Sequence, residues 1–223
     1  MSGRQLAFDL EYRLALGEDD FLVAPCNSDA VAWIDRFPDW PTKALVVSGE
    51  PGSGKTHLTR VFMAKTKAVD ISVSSLRNNA VPVLPDANAI VIEDADQLAS
   101  DDTAEEALFH LYNQAREAGT SMLLTAAKSP ARWPIKLADL SSRLRTISSA
   151  TIGAPDDALL SAVIVKLFAD RQLTIEGSVL DYAIARMVRT FDAARQFVAD
   201  ADREALEKKR RITVPLVRDI LER

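Results

Sequence analysis

The residues best equipped for chemistry in this 223-residue chain are gathered in one octapeptide: Gly49, Glu50, Pro51, Gly52, Ser53, Gly54, Lys55 and Thr56. Their spacing, G-x-x-x-x-G-K-T, is that of a phosphate-binding loop. Glycines let main-chain N–H groups turn inward around phosphate oxygens, where a Cβ would obstruct them. Lys55 brings a positive charge to the outer phosphates, and the Thr56 hydroxyl is a hard oxygen suited to Mg²⁺. A helix opening here, with His57 in its first turn, would add the positive end of its dipole. The ligand implied is a nucleoside polyphosphate.

A second constellation follows at Glu93 and Asp94, where the apolar run Ala89, Ile90, Val91, Ile92 ends in two carboxylates. P-loop proteins bring acidic groups to the metal and the attacking water in this way. The competing explanation is an acidic residue that starts a helix after a buried strand.

Such groups need a strand ahead of the loop and a helix behind it. Ala44 to Ser48 reads as that strand and Thr56 to Lys65 as that helix. Further strand-like runs at Ala68 to Ser72, Ala89 to Glu93, Ser121 to Ala126 and Thr146 to Thr151 alternate with helical segments such as Thr103 to Ala118. Alternation of this kind predicts an α/β fold with a five-stranded parallel sheet flanked by helices.

The pattern changes after Gly153. Leu159, Leu160, Val163, Ile164, Leu167 and Phe168 recur at the spacing of one helix face, with Asp156 placed to cap that helix. Later helices are expected over Val179 to Val188, over Asp192 to Lys209, and after Thr213 with Pro215 in the first turn. The expected organisation is a tail over 1–12, an α/β base domain over 13–153 and an all-helical domain of four helices over 154–223.

Composition narrows the function classes. No run approaches the roughly 20 apolar residues of a membrane span, and charges interrupt the N-terminal residues where a signal peptide would be apolar, so a cytoplasmic protein is expected. Cys26 is the single cysteine and reads as a small packing residue. A net charge of −5 argues against strong direct DNA binding and favours a protein partner. The one basic cluster, Lys208 to Arg211, reads either as cations at a helix end or as a nucleic-acid contact. Near the N-terminus, Gln5, Leu6, Ala7, Phe8, Asp9 and Leu10 alternate so that Leu6, Phe8 and Leu10 share one side of an extended segment. That segment is either an ordinary N-terminal strand or a peptide that docks in an apolar groove.

Together GSGKTHL, LFHLYNQAREAG, LADLSSRL, RMVRTF and RRITVPLVRDIL resemble the DnaA/Hda family of AAA+ proteins over essentially the whole chain. The resemblance implies an AAA+ fold with a C-terminal helical lid, and ADP or ATP with Mg²⁺ as ligands. It implies Arg143 as an arginine finger acting on ATP in a neighbouring subunit, and Arg189 as the lid arginine that senses the chain's own nucleotide. Without the resemblance, each would pass as a surface-helix arginine. It also implies DnaA as partner, with the Gln5 to Leu10 peptide docking on the β sliding clamp of DNA polymerase III, and no separate DNA-binding domain after the lid. Val23 and Asn27 are the expected base-pocket residues, and a homo-oligomer stays open.

Three positions depart from the family pattern. Glu93 stands where Asp is usual, Asp94 where many hydrolysing relatives have Glu, and Ala127 where a polar residue contacts the γ-phosphate. Weak intrinsic hydrolysis is the expectation. The rival readings are a self-sufficient ATPase, such as a helicase or clamp-loader factor, and a small-molecule kinase on a P-loop fold.

Overall fold

A computed structural model describes residues 14–15, 21–78, 84, 86–208 and 210–222. Two short strands, β1 (Leu14–Ala15) and β2 (Phe21–Leu22), pair with each other. The main sheet follows from five apolar runs: β3 (Ala44–Gly49), β4 (Val69–Asp70), β5 (Ala89–Ile92), β6 (Ser121–Ala126) and β7 (Ser148–Ile152). Its order is β4-β5-β6-β3-β7 and every registered pair is parallel. Every residue of β3, β5 and β6 is buried, as expected of parallel strands covered on both faces.

Strand alternation divides those buried residues between two layers. Val46, Ile90, Ile92, Met122 and Leu124 join a core with Leu108 and Leu111 of α4 (Asp102–Ala118) and with Leu140 and Leu144 of α5 (Ala138–Thr146). Leu45, Val47, Val91 and Leu123 alternate to the other face. Helix α2 (Lys55–Thr66) packs against β3, β5 and β6 and buries Leu58 and Phe62. Helix α1 (Ser28–Asp35) packs on β7 and buries Val31 and Ile34.

Several boundaries differ from the sequence expectation. The run Ala68 to Ser72 yields only two strand residues, because the Ser72 hydroxyl accepts the Ser75 N–H and opens the short helix α3 (Val73–Arg77). Thr146 ends α5 instead of opening β7, its hydroxyl donating to the Arg143 carbonyl at 2.7 Å. Side-chain hydrogen bonds of this kind divert Ser and Thr from strands even inside β-prone runs.

By residue contacts the described residues divide after Gly153 into a unit containing Pro25–Gly153 and a second that holds the helices following it. The C-terminal unit contains α6 (Asp157–Asp170), α7 (Gly177–Ile184), α8 (Phe191–Lys208) and α9 (Val214–Leu221). Asp156 caps α6 by accepting the Leu159 N–H at 2.8 Å. The apolar faces meet in a core of Leu160, Ile164, Phe168, Leu180, Phe197 and Val217, with Phe168 and Phe197 edge to face at 6.0 Å. Helix α7 stops four residues before Val188, the expected end, so Arg189 lies in the turn leading to α8 and not on a helix.

Candidate functional site

The Gly49–Thr56 loop joins the end of β3 to the start of α2, and its backbone is set by two glycines in the left-handed region. Gly52 has φ 76° and Gly54 φ 100°, values that a side chain would strain. Gly49 is held for space: an added Cβ would stand 2.6 Å from Ser53 Oγ and 2.8 Å from the Ile152 carbonyl oxygen. Ser53 is buried, and its hydroxyl has no hydrogen-bond partner among the described residues. Lys55 is also buried, and its ammonium donates to the carbonyls of Gly49 (2.6 Å) and Glu50 (3.1 Å). Charge and donors are thus concentrated at the loop, and an orphaned hydroxyl on it is what a phosphate-binding cradle supplies. Glu50 and Pro51 are exposed, and His57 is half-buried in the first turn of α2.

Glu93 follows β5 and meets this loop. Its carboxylate accepts from Thr56 Oγ1 at 2.7 Å and from Thr59 Oγ1 at 2.6 Å, two hydroxyls one helical turn apart on α2. The Thr59 proton has the Thr56 carbonyl as a second acceptor at 2.9 Å. Thr59 escapes the loop motif, although the i, i+3 spacing from Thr56 marks it as a neighbour on the same helix face. The extra methylene of Glu relative to Asp is accommodated by this clasp.

Asp94 is exposed, with φ 52° and ψ 42°, and precedes the 3-10 turn Ala95–Leu98. Its side chain makes no capping bond, so the helix-capping explanation gains nothing from its geometry, while its N–H donates to Thr125 Oγ1 at 3.0 Å. At the end of β6 the Ala127 N–H donates to Asp96 Oδ2 at 2.9 Å, leaving no polar side chain at that position. Asp70, on the edge strand beside β5, has its carboxyl pKa raised, first by partial burial and then by the Glu93 charge. Among the described residues no group of three or more His, Cys, Asp and Glu side chains is placed to hold a metal alone. Mg²⁺ needs no such cage, since it is bound by one or two protein oxygens together with phosphate oxygens and water.

Arg143 is half-buried on α5, and among the described residues its guanidinium has no hydrogen bond or ion pair. Arg189 differs. Its Nε lies 2.8 Å and its Nη2 3.3 Å from the two carboxylate oxygens of Asp157, in the first turn of α6. Asn27 is buried just before α1, and Val23 is half-buried a few residues earlier. Gln5, Leu6, Phe8 and Leu10 lie outside the described residues. No helix among the described residues is long and apolar enough to cross a membrane.

Residues 159–221 match the family model described as Hda, lid domain. A protein of Haemophilus influenzae, itself uncharacterized, is 27% identical over 182 residues, covering 78% of this chain and 79% of its own length. DnaA of Psychromonas ingrahamii is 24% identical, covering 91% of this chain and 49% of its own length, so the chain spans about half of that relative. Among solved structures, domain III of Thermotoga maritima DnaA superposes with a TM-score of 0.77 at 17% identity, over 91% of this chain and 95% of that one. AMPPCP-bound DnaA of Aquifex aeolicus gives 0.72 at 16% identity, over 89% and 68%.

The sheet order, the loop between β3 and α2 and the helical C-terminal region give an AAA+ fold with a P-loop. Within that fold, residues 159–221 are similar to the Hda lid domain and the chain as a whole is similar to DnaA.

Proposed function

We propose that this chain binds an adenine nucleotide, ADP or ATP with Mg²⁺, and promotes hydrolysis of ATP held by DnaA, using Arg143 as an arginine finger supplied in trans. The observation that carries the reading is the guanidinium of Arg143 on a short helix, unpaired among the described residues, since such a cation is available to an anion brought by another molecule. The Hda lid match and the similarity to DnaA support DnaA as that other molecule. The AMPPCP bound by Aquifex aeolicus DnaA supports an adenine nucleotide in the loop of this one.

In the chain's own site, the main-chain N–H groups of Glu50 to Gly54 and the Lys55 ammonium would hold the phosphates, and Thr56 and Glu93 would orient Mg²⁺. The bound ion would draw the outer phosphates together and spread their charge. Arg189 is assigned to sensing that nucleotide, Asp94 to the neighbourhood of the metal, and Val23 and Asn27 to the base. Ala127 offers no side-chain polar group, which favours weak turnover here over the self-sufficient ATPase.

On the partner, water oxygen bonds to the γ-phosphorus as the bond to the β,γ-bridging oxygen breaks. The electron pair of that bond leaves on ADP, and the proton of the water passes to phosphate and solvent. The Arg143 guanidinium stabilises the charge on the transferring oxygens. The Gln5 to Leu10 peptide is assigned to docking on the β sliding clamp, which would bring the two proteins together on DNA.

Arg143→Ala tests the reading. The variant should fold and bind nucleotide as the parent does, while stimulation of DnaA-bound ATP hydrolysis, assayed with clamp and DNA, falls by on the order of 10³-fold, at the low end of arginine-finger effects. Full stimulation by the variant would refute it.

A further inference from the structure

The start of α5, the helix that carries Arg143, is held by a side chain from far earlier in the chain. Glu105 sits on α4, is 1% exposed, and forms no ion pair among the described residues. Its Oε2 accepts the N–H groups of Leu137 at 2.8 Å and Lys136 at 3.0 Å, and its Oε1 accepts Ser100 N–H at 2.8 Å and the Lys136 N–H again at 3.2 Å. Lys136 and Leu137 are the last two residues before α5, and Leu137, in the N-cap position, has an apolar side chain that cannot cap. Glu105 therefore ties down the two N–H groups that lead into the helix, the second of them that of the N-cap residue, and sets its carboxylate beside the positive end of α5. A buried carboxylate is costly unless its oxygens are hydrogen-bonded, and here both are occupied by main-chain N–H groups of two separate segments, which makes it a rigid tie between them.

Arg143 follows less than two turns later on the same nine-residue helix, which buried Leu140 and Leu144 seat against the core. The Ser100 N–H brings in the segment that descends from Glu93 and Asp94 through the 3-10 turn, so one carboxylate fixes both segments against α4.

We propose that Glu105 is a positioning residue for Arg143: its buried carboxylate fixes where α5 begins, and so where the guanidinium stands relative to the phosphate of a partner-bound nucleotide. This rests on the reading that Arg143 acts in trans. It predicts a loss confined to the rate of the stimulated reaction, because a displaced finger weakens stabilisation of the transferring phosphoryl group without altering this chain's own phosphate loop.

The test compares Glu105→Gln with Arg143→Ala in the full chain, with DnaA, clamp and DNA present. Glu105→Gln keeps side-chain volume but turns one oxygen into an amide that cannot accept. Maximal stimulation should fall about tenfold or more, as displacements of roughly 1 Å do in positioned sites. The DnaA concentration for half-maximal effect and this chain's ADP affinity should stay unchanged, and hydrogen exchange at the α5 amides should quicken. Asp102→Asn removes only the exposed 2.8 Å contact of Asp102 with the Lys136 ammonium and should leave stimulation unaltered. If Glu105→Gln fails to fold, Glu105→Asp takes its place, keeping the charge but one methylene short.

Full stimulation by the Glu105 variant beside a dead Arg143→Ala overturns the positioning role alone. An equal loss of ADP affinity in the Glu105 variant also overturns it, since the residue would then be supporting the whole unit. Full stimulation by Arg143→Ala removes the trans reading itself.

Discussion

Arg143 and Arg189 stand in contrasting surroundings. Arg143 projects from α5 without a partner among the described residues, while Arg189 lies in the turn after α7 with its guanidinium forked onto the Asp157 carboxylate. The base-domain cation is ready for an anion from outside. The lid cation must first surrender one it already holds. Both side chains of the Arg189–Asp157 pair are more than half exposed, so that surrender is inexpensive: exposed pairs are worth about 0–1 kcal/mol. On the proposed reading, the first arginine acts on another protein and the second responds to nucleotide.

The largest expected effect beyond Arg143→Ala comes from separating the two arginines by readout. Arg189→Ala should weaken ADP binding about tenfold, the order expected for losing a hydrogen bond to a charged group, and should lower stimulation only through reduced occupancy. Asp157→Ala should shift affinity the other way, by up to about fivefold, the value of an exposed ion pair. Calorimetric titration of both variants with ADP checks the contrast, and an Asp157→Ala protein that binds more weakly than the parent would show that the pair supports the lid instead of restraining it.

Gly49→Ala probes the stability of the unit that carries Arg143. The added Cβ meets a main-chain oxygen at 2.8 Å, which cannot rotate aside, so an overpacking cost of about 1–3 kcal/mol is expected together with loss of nucleotide binding. Chemical denaturation and titration of the same sample measure both. A variant with unchanged stability and affinity would mean that the loop yields more than its packing suggests.

The smallest effect concerns Asp70. Its raised pKa means that the folded state disfavours the charged form, so its contribution is most favourable below the ordinary carboxylate pKa and declines as pH rises through the raised value. Asp70→Asn should therefore raise the melting temperature slightly at neutral pH without magnesium, and the gain should vanish as pH falls below the ordinary carboxylate range. A gain independent of pH would remove electrostatics as its cause.

Much of the α/β architecture was legible in the sequence because buried parallel strands are continuous apolar runs, and Ala44, Ala89 and Ser121 open three of them. The phosphate loop announced itself through the spacing of its glycines, Lys55 and Thr56. The helices α1, α3 and α5 left fainter marks: each has at most nine residues, too few turns for a periodic pattern to stand out. Glu105 was invisible for a different reason. Its partners at Lys136 and Leu137 lie 31 and 32 positions away, and no local pattern encodes a cap delivered across that distance. Arg143 and Arg189 stood out only by family likeness, since neither the missing partner of one nor the ion pair of the other has a signature in spacing.

The clasp of Glu93 on α2 has a further consequence. An ionised carboxylate can only accept, so the Thr56 hydroxyl must point its hydrogen toward Glu93 and keep its lone pairs turned elsewhere. The rotor is thereby set in advance. A divalent ion held by Thr56 would bind through those lone pairs, so its coordination need not break the hydrogen bond to Glu93.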